Sequence, residues 1–504
     1  MKYQTNPPNY FVVLLVCLLA GSICLSNRAD AEVGNGELAS AGLVVHWQAN
    51  IGGAPLANGA QSFVLWSHTS EKREYVTVRN GSRIVERIRG EEVDQATINS
   101  AIVSGEKLLK TPRLGLEGAQ KKAEKLVATY KLLGRTLDVE PFSQQLVYAV
   151  SLTNNGIVET LDAETGAVIW RTEAGKSTLP MFGPGVSDDY VAVTNGNTLY
   201  VYELATGNIV TTRKLIHTPT ASPTVLRDKA IVPSIDGRLV AYDIKKEVIA
   251  PGVLRTGTEN RLGITISANH QFLSWPTGNR LVQARMDKLP VLWNSISVRE
   301  PILSGPVATQ NGFLACTEAG TVFHCSTVRD DALFWKTRLA VQVSQSPVVS
   351  KDLGFILSDD GFLFALRLEN GVDAWGYQPG NIRNVVAVGK KHVYAKDSRN
   401  ALVAFDLATG VESERTNLIL PDVLPNSVTD RLLFITKQGQ VTCLRESDAL
   451  SPTFATVFSG EAATPAKTTK PETTPTKVIE EDKNLFGEAG TDTMEGDDPF
   501  KDKP

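Results

Sequence analysis

The chain has 504 residues, a formal net charge of −4 and 42% hydrophobic residues. That is enough for a large core and allows several domains, although all-β chains of this length often form a single one. The near-neutral balance lacks the basic excess of a nucleic-acid-binding surface, so no nucleic-acid partner is expected.

The first residues read as an address. Lys2 precedes an apolar run over residues 10–25, and Ala29-Asp30-Ala31 has the small-x-small form of a cleavage site. The run is short for a membrane span of ~20 residues, so 1–31 is expected to be a signal peptide. If left uncleaved, it would tether the protein to a membrane. The residues before Cys17 and Cys24 do not form a lipidation signal. Beyond the leader only Cys316, Cys325 and Cys443 remain, an odd number that implies no disulfide framework. Export with so few cysteines points to the periplasm or cell envelope.

Residues 42–136 are expected to form a small α+β subdomain. Its strands are Leu43–Ala49, Ser62–Ser67, Glu74–Arg79 and Arg83–Arg89, with Asn80-Gly81 as a hairpin turn. A helical region over 92–134 places Ala119, Ala123, Leu126, Val127, Tyr130 and Leu133 on one face, with Gly134 as its cap. Lys121, Lys122, Lys125 and Lys131 lie off that stripe and read as a solvated face.

From 137 to 458 the chain is periodic. Inner hairpin turns carry Gly156, Gly196, Gly237, Gly278, Gly320, Gly361, Arg399 and Gly439, about 40 residues apart. A second series runs Gly166, Gly207, Glu247, Leu289, Asp331, Gly371 and Gly410 with the same period. Each unit holds four short strands, for example Lys229–Pro233 followed by Leu239–Asp243. Four short strands per ~40 residues is the signature of a propeller blade. Eight inner turns predict an all-β fold with an eight-bladed β-propeller. Its last outer strand is either Pro452–Phe458 or a segment from the N-terminal region. Residues 461–504 are rich in Thr, Pro, Lys and Glu, with 11 acidic and 6 basic residues. They read as a disordered tail, with apolar islands at Leu485-Phe486 and Pro499-Phe500.

The stretch Asp162-Ala163-Glu164-Thr165-Gly166-Ala167-Val168-Ile169-Trp170 resembles the tryptophan-docking motif of PQQ-like (quinoprotein-type) β-propellers, roughly Ala-x-Asp-x-x-Thr-Gly-x-x-x-Trp. Thr160 replaces the alanine here. Ala404 through Thr409-Gly410 matches the first half, with Glu414 in place of the tryptophan. Ala365 through Gly371 to Trp375 matches both ends, with Arg367 at the aspartate position. Trp293 and Trp335 keep the tryptophan without the glycine. A tryptophan on an outer strand can lie against the neighbouring blade's turn, where a glycine leaves room for the indole. Gly166, Trp170, Gly207, Trp293, Trp335, Gly371, Trp375 and Gly410 are therefore read as structural repeat positions rather than ligand contacts.

The resemblance implies one of two classes. Quinone-dependent dehydrogenases hold their cofactor on the propeller axis, usually with Ca²⁺, which wants several oxygen ligands. Many also carry adjacent paired cysteines, and no Cys-Cys pair exists here. The acidic pairs Asp188-Asp189, Asp330-Asp331 and Asp359-Asp360 all fall in expected turns. The other class is non-catalytic scaffolds of outer-membrane assembly. No catalytic, cofactor-binding or metal-binding residues are assigned. With the turn at Ala319-Gly320, Cys316 is expected diagonally across from Cys325, with His324 on the opposite face. The three then converge on no ion, and a diagonal disulfide is too long. The expected function is an exported protein-interaction scaffold that binds other envelope proteins by its loops or tail. The alternatives are a glycan- or polymer-binding propeller and a PQQ-dependent dehydrogenase.

Overall fold

The structure, a computed structural model, describes residues 37–454 apart from 53–59, 82, 105–111, 257–261, 268–269, 329–331, 425 and 450. The signal peptide, the tail, Phe458 and the Asp330-Asp331 pair lie outside the described residues.

Among the described residues the strands form eight antiparallel sheets. The alternation and turn chemistry of each repeat account for them. The second sheet is typical: Met181–Val186, Tyr190–Asn195, Thr198–Glu203 and Ile209–Lys214 pair in sequence order. Of its two middle strands Tyr190–Asn195 is wholly buried and Thr198–Glu203 largely so, while its outer strand is mostly exposed apart from Thr211. The inner turns follow the predicted series, with Gly156, Gly196, Gly237, Gly278, Gly320, Gly361 and Gly439 all in the left-handed region. In the seventh sheet that role falls to Asn400 at φ 67°, one residue later than the Arg399 of the sequence reading. The reason is local. The Asp397 carboxylate accepts from the Arg399 and Ala401 amides at 2.8 Å, and asparagine tolerates positive φ better than arginine.

Eight hydrophobic clusters each take side chains from two neighbouring sheets. They follow the chain from the first sheet to the eighth. One of the eight joins the eighth sheet to the first, where Trp47, Val441 and Cys443 meet Leu65, Val147 and Leu161. Each fully buried aliphatic side chain contributes roughly 1.5–3 kcal/mol.

The N-terminal region enters two sheets. Strand β1 (Leu43–Asn50) pairs with Gln440–Glu446, from Leu43 opposite Glu446 to Asn50 opposite Gln440. It supplies the fourth strand of the eighth sheet, while Phe454 makes only an isolated bridge to Thr429. Strand β2 (Ala60–Asn80) unites the predicted Ser62–Ser67 and Glu74–Arg79. It runs beside β4 (Asp138–Thr153) for nearly its whole length, with an irregularity between Ser67 and Lys72. Its first half belongs to the first sheet with β4, β5 (Ile157–Asp162) and β6 (Val168–Glu173). Its second half pairs with β3 (Arg83–Arg89) to make a projecting extension. The helix Gly115–Leu132 covers that extension, burying Ala119 and Ala123 against Val76, Val78 and Ile88. Leu133 leaves the predicted stripe: the helix has ended, its φ and ψ are −90° and 11°, and the side chain is exposed. No helix among the described residues is long and apolar enough to cross a membrane.

Cys316, Cys325 and Cys443 are free and fully buried, and burial pushes all three thiols up. Protein lacking residues 1–31 is expected to show no native labelling by Ellman's reagent and three thiols on denaturation. Removing residues through Asn50 strips β1 from the eighth sheet and should make Cys443 react without denaturant.

Candidate functional site

The repeat positions meet across the seams. Trp170 donates from Nε1 to the Leu204 carbonyl at 2.6 Å, and its ring lies on Gly207, where an added Cβ would sit 2.5 Å from the indole. Trp335 treats Leu368 and Gly371 in the same way, with an N–H···O distance of 2.7 Å. Trp375 does so with Leu407 and Gly410, at 3.0 Å. The tryptophan of one sheet thus docks on the turn glycine of the next. Each of these glycines has φ near +70°, so a side chain would be strained as well as obstructed.

Sequence reasoning missed one member. Trp47 of β1 donates to the Ala163 carbonyl at 2.8 Å and lies on Gly166. Its partner is 116 residues away, and β1 belongs to a sheet otherwise built from the far end of the chain, so no periodic spacing could reveal it. The available signal was a tryptophan in an alternating strand with no other assigned role.

Trp293 is placed differently. In the first and fifth sheets Trp170 and Trp335 are register-paired with Thr160 and His324, and the residue before each is the unpaired one of a bulge. In the fourth sheet Asn294 takes the paired position opposite Gln283, and Trp293 falls in the bulge. A one-residue slip turns a side chain to the other side, so Trp293 is 41% exposed whereas Trp170 is 8% exposed.

Seams without a docked tryptophan use other chemistry. Thr211 and Arg213 bond to Glu247, and Arg213 also donates to the Asp243 carbonyl at 2.8 Å. Leu289 packs against Gly252, with the bulky residue on the turn and the glycine on the strand.

The register between Gly312–Cys316 and Thr321–Ser326 corrects the expected thiol geometry. Cys316 pairs with Val322 and Phe313 with Cys325. Cys316 and His324 therefore share one face and Cys325 lies on the other, the reverse of the sequence reading. The turn is one residue longer than the tight turn assumed, which shifts every partner by one. His324 is buried, with Nδ1 3.0 Å from the Leu368 carbonyl and Nε2 2.8 Å from the Thr309 hydroxyl. Desolvation lowers its pKa to about 4, against the opposing Leu368 bond.

The turn of the first repeat is also held by ions. Asp162 caps the Glu164 amide at 2.9 Å and accepts from Arg73 of the extension at 3.2 and 2.9 Å. Burial of Arg73 opposes its charge, but Asp162 and Glu91 outweigh it and raise its pKa. Glu164 faces Arg431 of the eighth sheet at 3.6 Å and His46 of β1 at 3.5 Å. Asp188 accepts from Trp66 at 2.9 Å and from the Thr69 amide at 3.1 Å, so one residue of that acidic pair anchors β2 at its irregularity. Asp359 accepts from the amide and hydroxyl of Ser344 at 3.0 and 2.7 Å.

The first strands of the sheets line two adjoining cavities of about 350 and 370 Å³. Val64, Pro184, Thr224 and Thr265 line the first, Val348, Asn384 and Val385 the second, and Val307 and Ser427 both. No acidic, basic, histidine or cysteine side chain is among the lining residues. A carboxylated quinone would find no cation there and Ca²⁺ no carboxylate, so these walls do not fit that cofactor. Among the described residues, no group of three His, Cys, Asp or Glu side chains is placed to hold a metal ion.

Antiparallel sheets joined by indole-on-glycine seams define a PQQ-like β-propeller protein. A family model described as outer membrane protein assembly factor BamB matches residues 154–250 and 275–487, more than half of the chain, and the chain belongs to that family. The crystal structure of BamB from Moraxella catarrhalis is similar at TM-score 0.47 and 17% identity, covering 59% of this chain and 91% of that one. A computationally designed protein, Ika8, is similar at TM-score 0.40 and 15% identity, covering 59% and 92%. Comparison with curated proteins gives no match.

Trp47→Ala is expected to destabilise by about 3–5 kcal/mol, and Gly207→Ala by about 2–4 kcal/mol from left-handed strain plus overpacking. Trp293→Ala should cost about 1 kcal/mol or less. Urea unfolding would rank the three.

His324 has a second consequence. Its folded pKa of about 4 lies below the ordinary 6.5, so the folded state binds fewer protons between those values. Stability present above pH 6.5 is lost as pH falls toward 4, by up to about 3 kcal/mol. His324→Gln should flatten that part of the pH–stability curve, measured by urea midpoints between pH 7 and 4.5.

Proposed function

We propose that this protein is a non-enzymatic, exported scaffold for outer-membrane protein assembly, built as a closed eight-bladed propeller. The observation that carries the reading is membership of a family whose model is described as an assembly factor over more than half of the chain. Two physical features support it. The eight sheets and their clusters run in sequence, with the eighth against the first, as a ring of eight blades requires. The central cavities are walled by neutral side chains, which suits a structural axis better than a redox site.

Under this reading residues 1–31 direct export, 461–504 form a polar tail, and the partners are other envelope proteins. Recognition falls to the connecting loops and the extension carried by β2, because the repeat residues are spent on the seams. Loops set on a rigid scaffold vary without disturbing the core.

In-cell cross-linking followed by mass spectrometry is expected to recover the same envelope assembly proteins in replicate experiments. Failure to recover any reproducible envelope partner would sink the proposal. Purified protein mixed with PQQ and Ca²⁺ should show neither a spectral shift nor dye-linked oxidation of alcohols or sugars. Either signal would restore the dehydrogenase reading.

A further inference from the structure

The outer strand of the fourth sheet, Pro290–Ser297, differs from its counterparts in one respect. In the first, second and fourth sheets the outer strand begins with an exposed apolar pair: Val168-Ile169, Ile209-Val210 and Val291-Leu292. In the first sheet the next residue, Trp170, turns inward and docks. In the fourth sheet the next residue is the bulged Trp293, which stays out. Its indole N–H finds no hydrogen-bond acceptor among the described residues, and its ring lies edge-on to Phe272 at 5.4 Å and 5.4 Å from the Arg285 guanidinium. Three consecutive exposed apolar residues therefore stand on one strand, with exposed Leu289 before them and exposed Val253 on the adjoining edge. Such a run on an edge strand is a liability unless something covers it.

The strand lies at the edge of its sheet, hydrogen-bonded on one side to Arg280–Met286 and, among the described residues, unpaired on the other. Its rim is cationic. Arg280, Arg285, Lys288 and the neighbouring Arg255 are exposed, and between Thr265 and Ser297 the only acidic residue is Asp287, paired with Arg285 at 3.0 Å.

We propose that Pro290–Ser297 captures an extended, acidic polypeptide segment as an added antiparallel strand, with Leu292 and Trp293 as its apolar anchors. The open row of backbone donors and acceptors calls for another backbone, which a lipid surface does not offer. The cationic rim disfavours a second copy of this chain, which would bring a rim of the same charge to the strand. It favours an acidic occupant by steering and register. The proposal does not depend on the assembly role, since a protein of any function could carry this strand.

The test is fluorescence anisotropy with the full chain lacking residues 1–31 and a labelled peptide, Asp-Glu-Val-Thr-Val-Ile-Val-Thr-Glu-Asp. Its comparators are the same peptide with lysine at every acidic position and phosphatidylglycerol vesicles. The acidic peptide should bind saturably, more weakly as salt rises, and about tenfold more tightly than the lysine peptide. Leu292→Lys, and separately Arg285→Glu with Lys288→Glu, should each weaken it by about tenfold or more, with melting curves like the parent's. Because the two peptides are compared on the unaltered protein, the outcome does not hinge on any variant folding. Absence of saturable binding or equal binding of both peptides would overturn the proposal. So would vesicle binding, or self-association of the protein alone, that is abolished by Leu292→Lys.

Discussion

The structure depends on one repeated contact, an indole laid on the turn of the next sheet. The ring buries a large apolar area, and its N–H satisfies a turn carbonyl that the short loop leaves free. Both requirements are met only if the facing residue has no side chain. The glycine and the tryptophan are therefore a single device although they sit far apart in the chain, and the four docked tryptophans all follow this rule. A contact between neighbouring sheets fixes their spacing, which a hydrogen-bonded ladder within one sheet cannot do.

Where the device is lost, the seam is kept by another chemistry. Arg213 reaches the turn of the third sheet with charge-assisted bonds, and Leu289 reverses the arrangement by projecting from the turn onto Gly252. At the first turn, Asp162 and Glu164 also bind Arg73 and Arg431. There the N-terminal extension, the first sheet and the eighth all meet. The best-preserved repeat is thus also the one where chain start and chain end are joined, and its carboxylates do more than shape a turn.

The periodic part of the fold was legible in the sequence because turn chemistry is local. Seven of the eight inner turns carry a glycine that announces the left-handed residue, and the turn of the seventh sheet was misplaced by a single residue. The candidate site was less legible, because register decides it. Trp293 reads like its relatives in the sequence, yet one residue of slip puts Asn294 in the docking position and leaves the indole outside. The same slip exchanges the neighbours of Cys316, giving it His324 in place of Cys325 as its same-face companion.

The sequence by itself determined the repeat, its period, the strands and the residue types that can staple one unit to the next, since all of these follow from short-range periodicity and backbone preference. Only the tertiary structure decided that β1 completes the eighth sheet and that Trp47 docks on Gly166. Only it showed that β2 runs continuously from the first sheet into the extension, and that the cavity walls are uncharged. Those outcomes depend on segments far apart in the chain meeting at a definite register, and a local pattern carries no information about which distant strand will supply the partner.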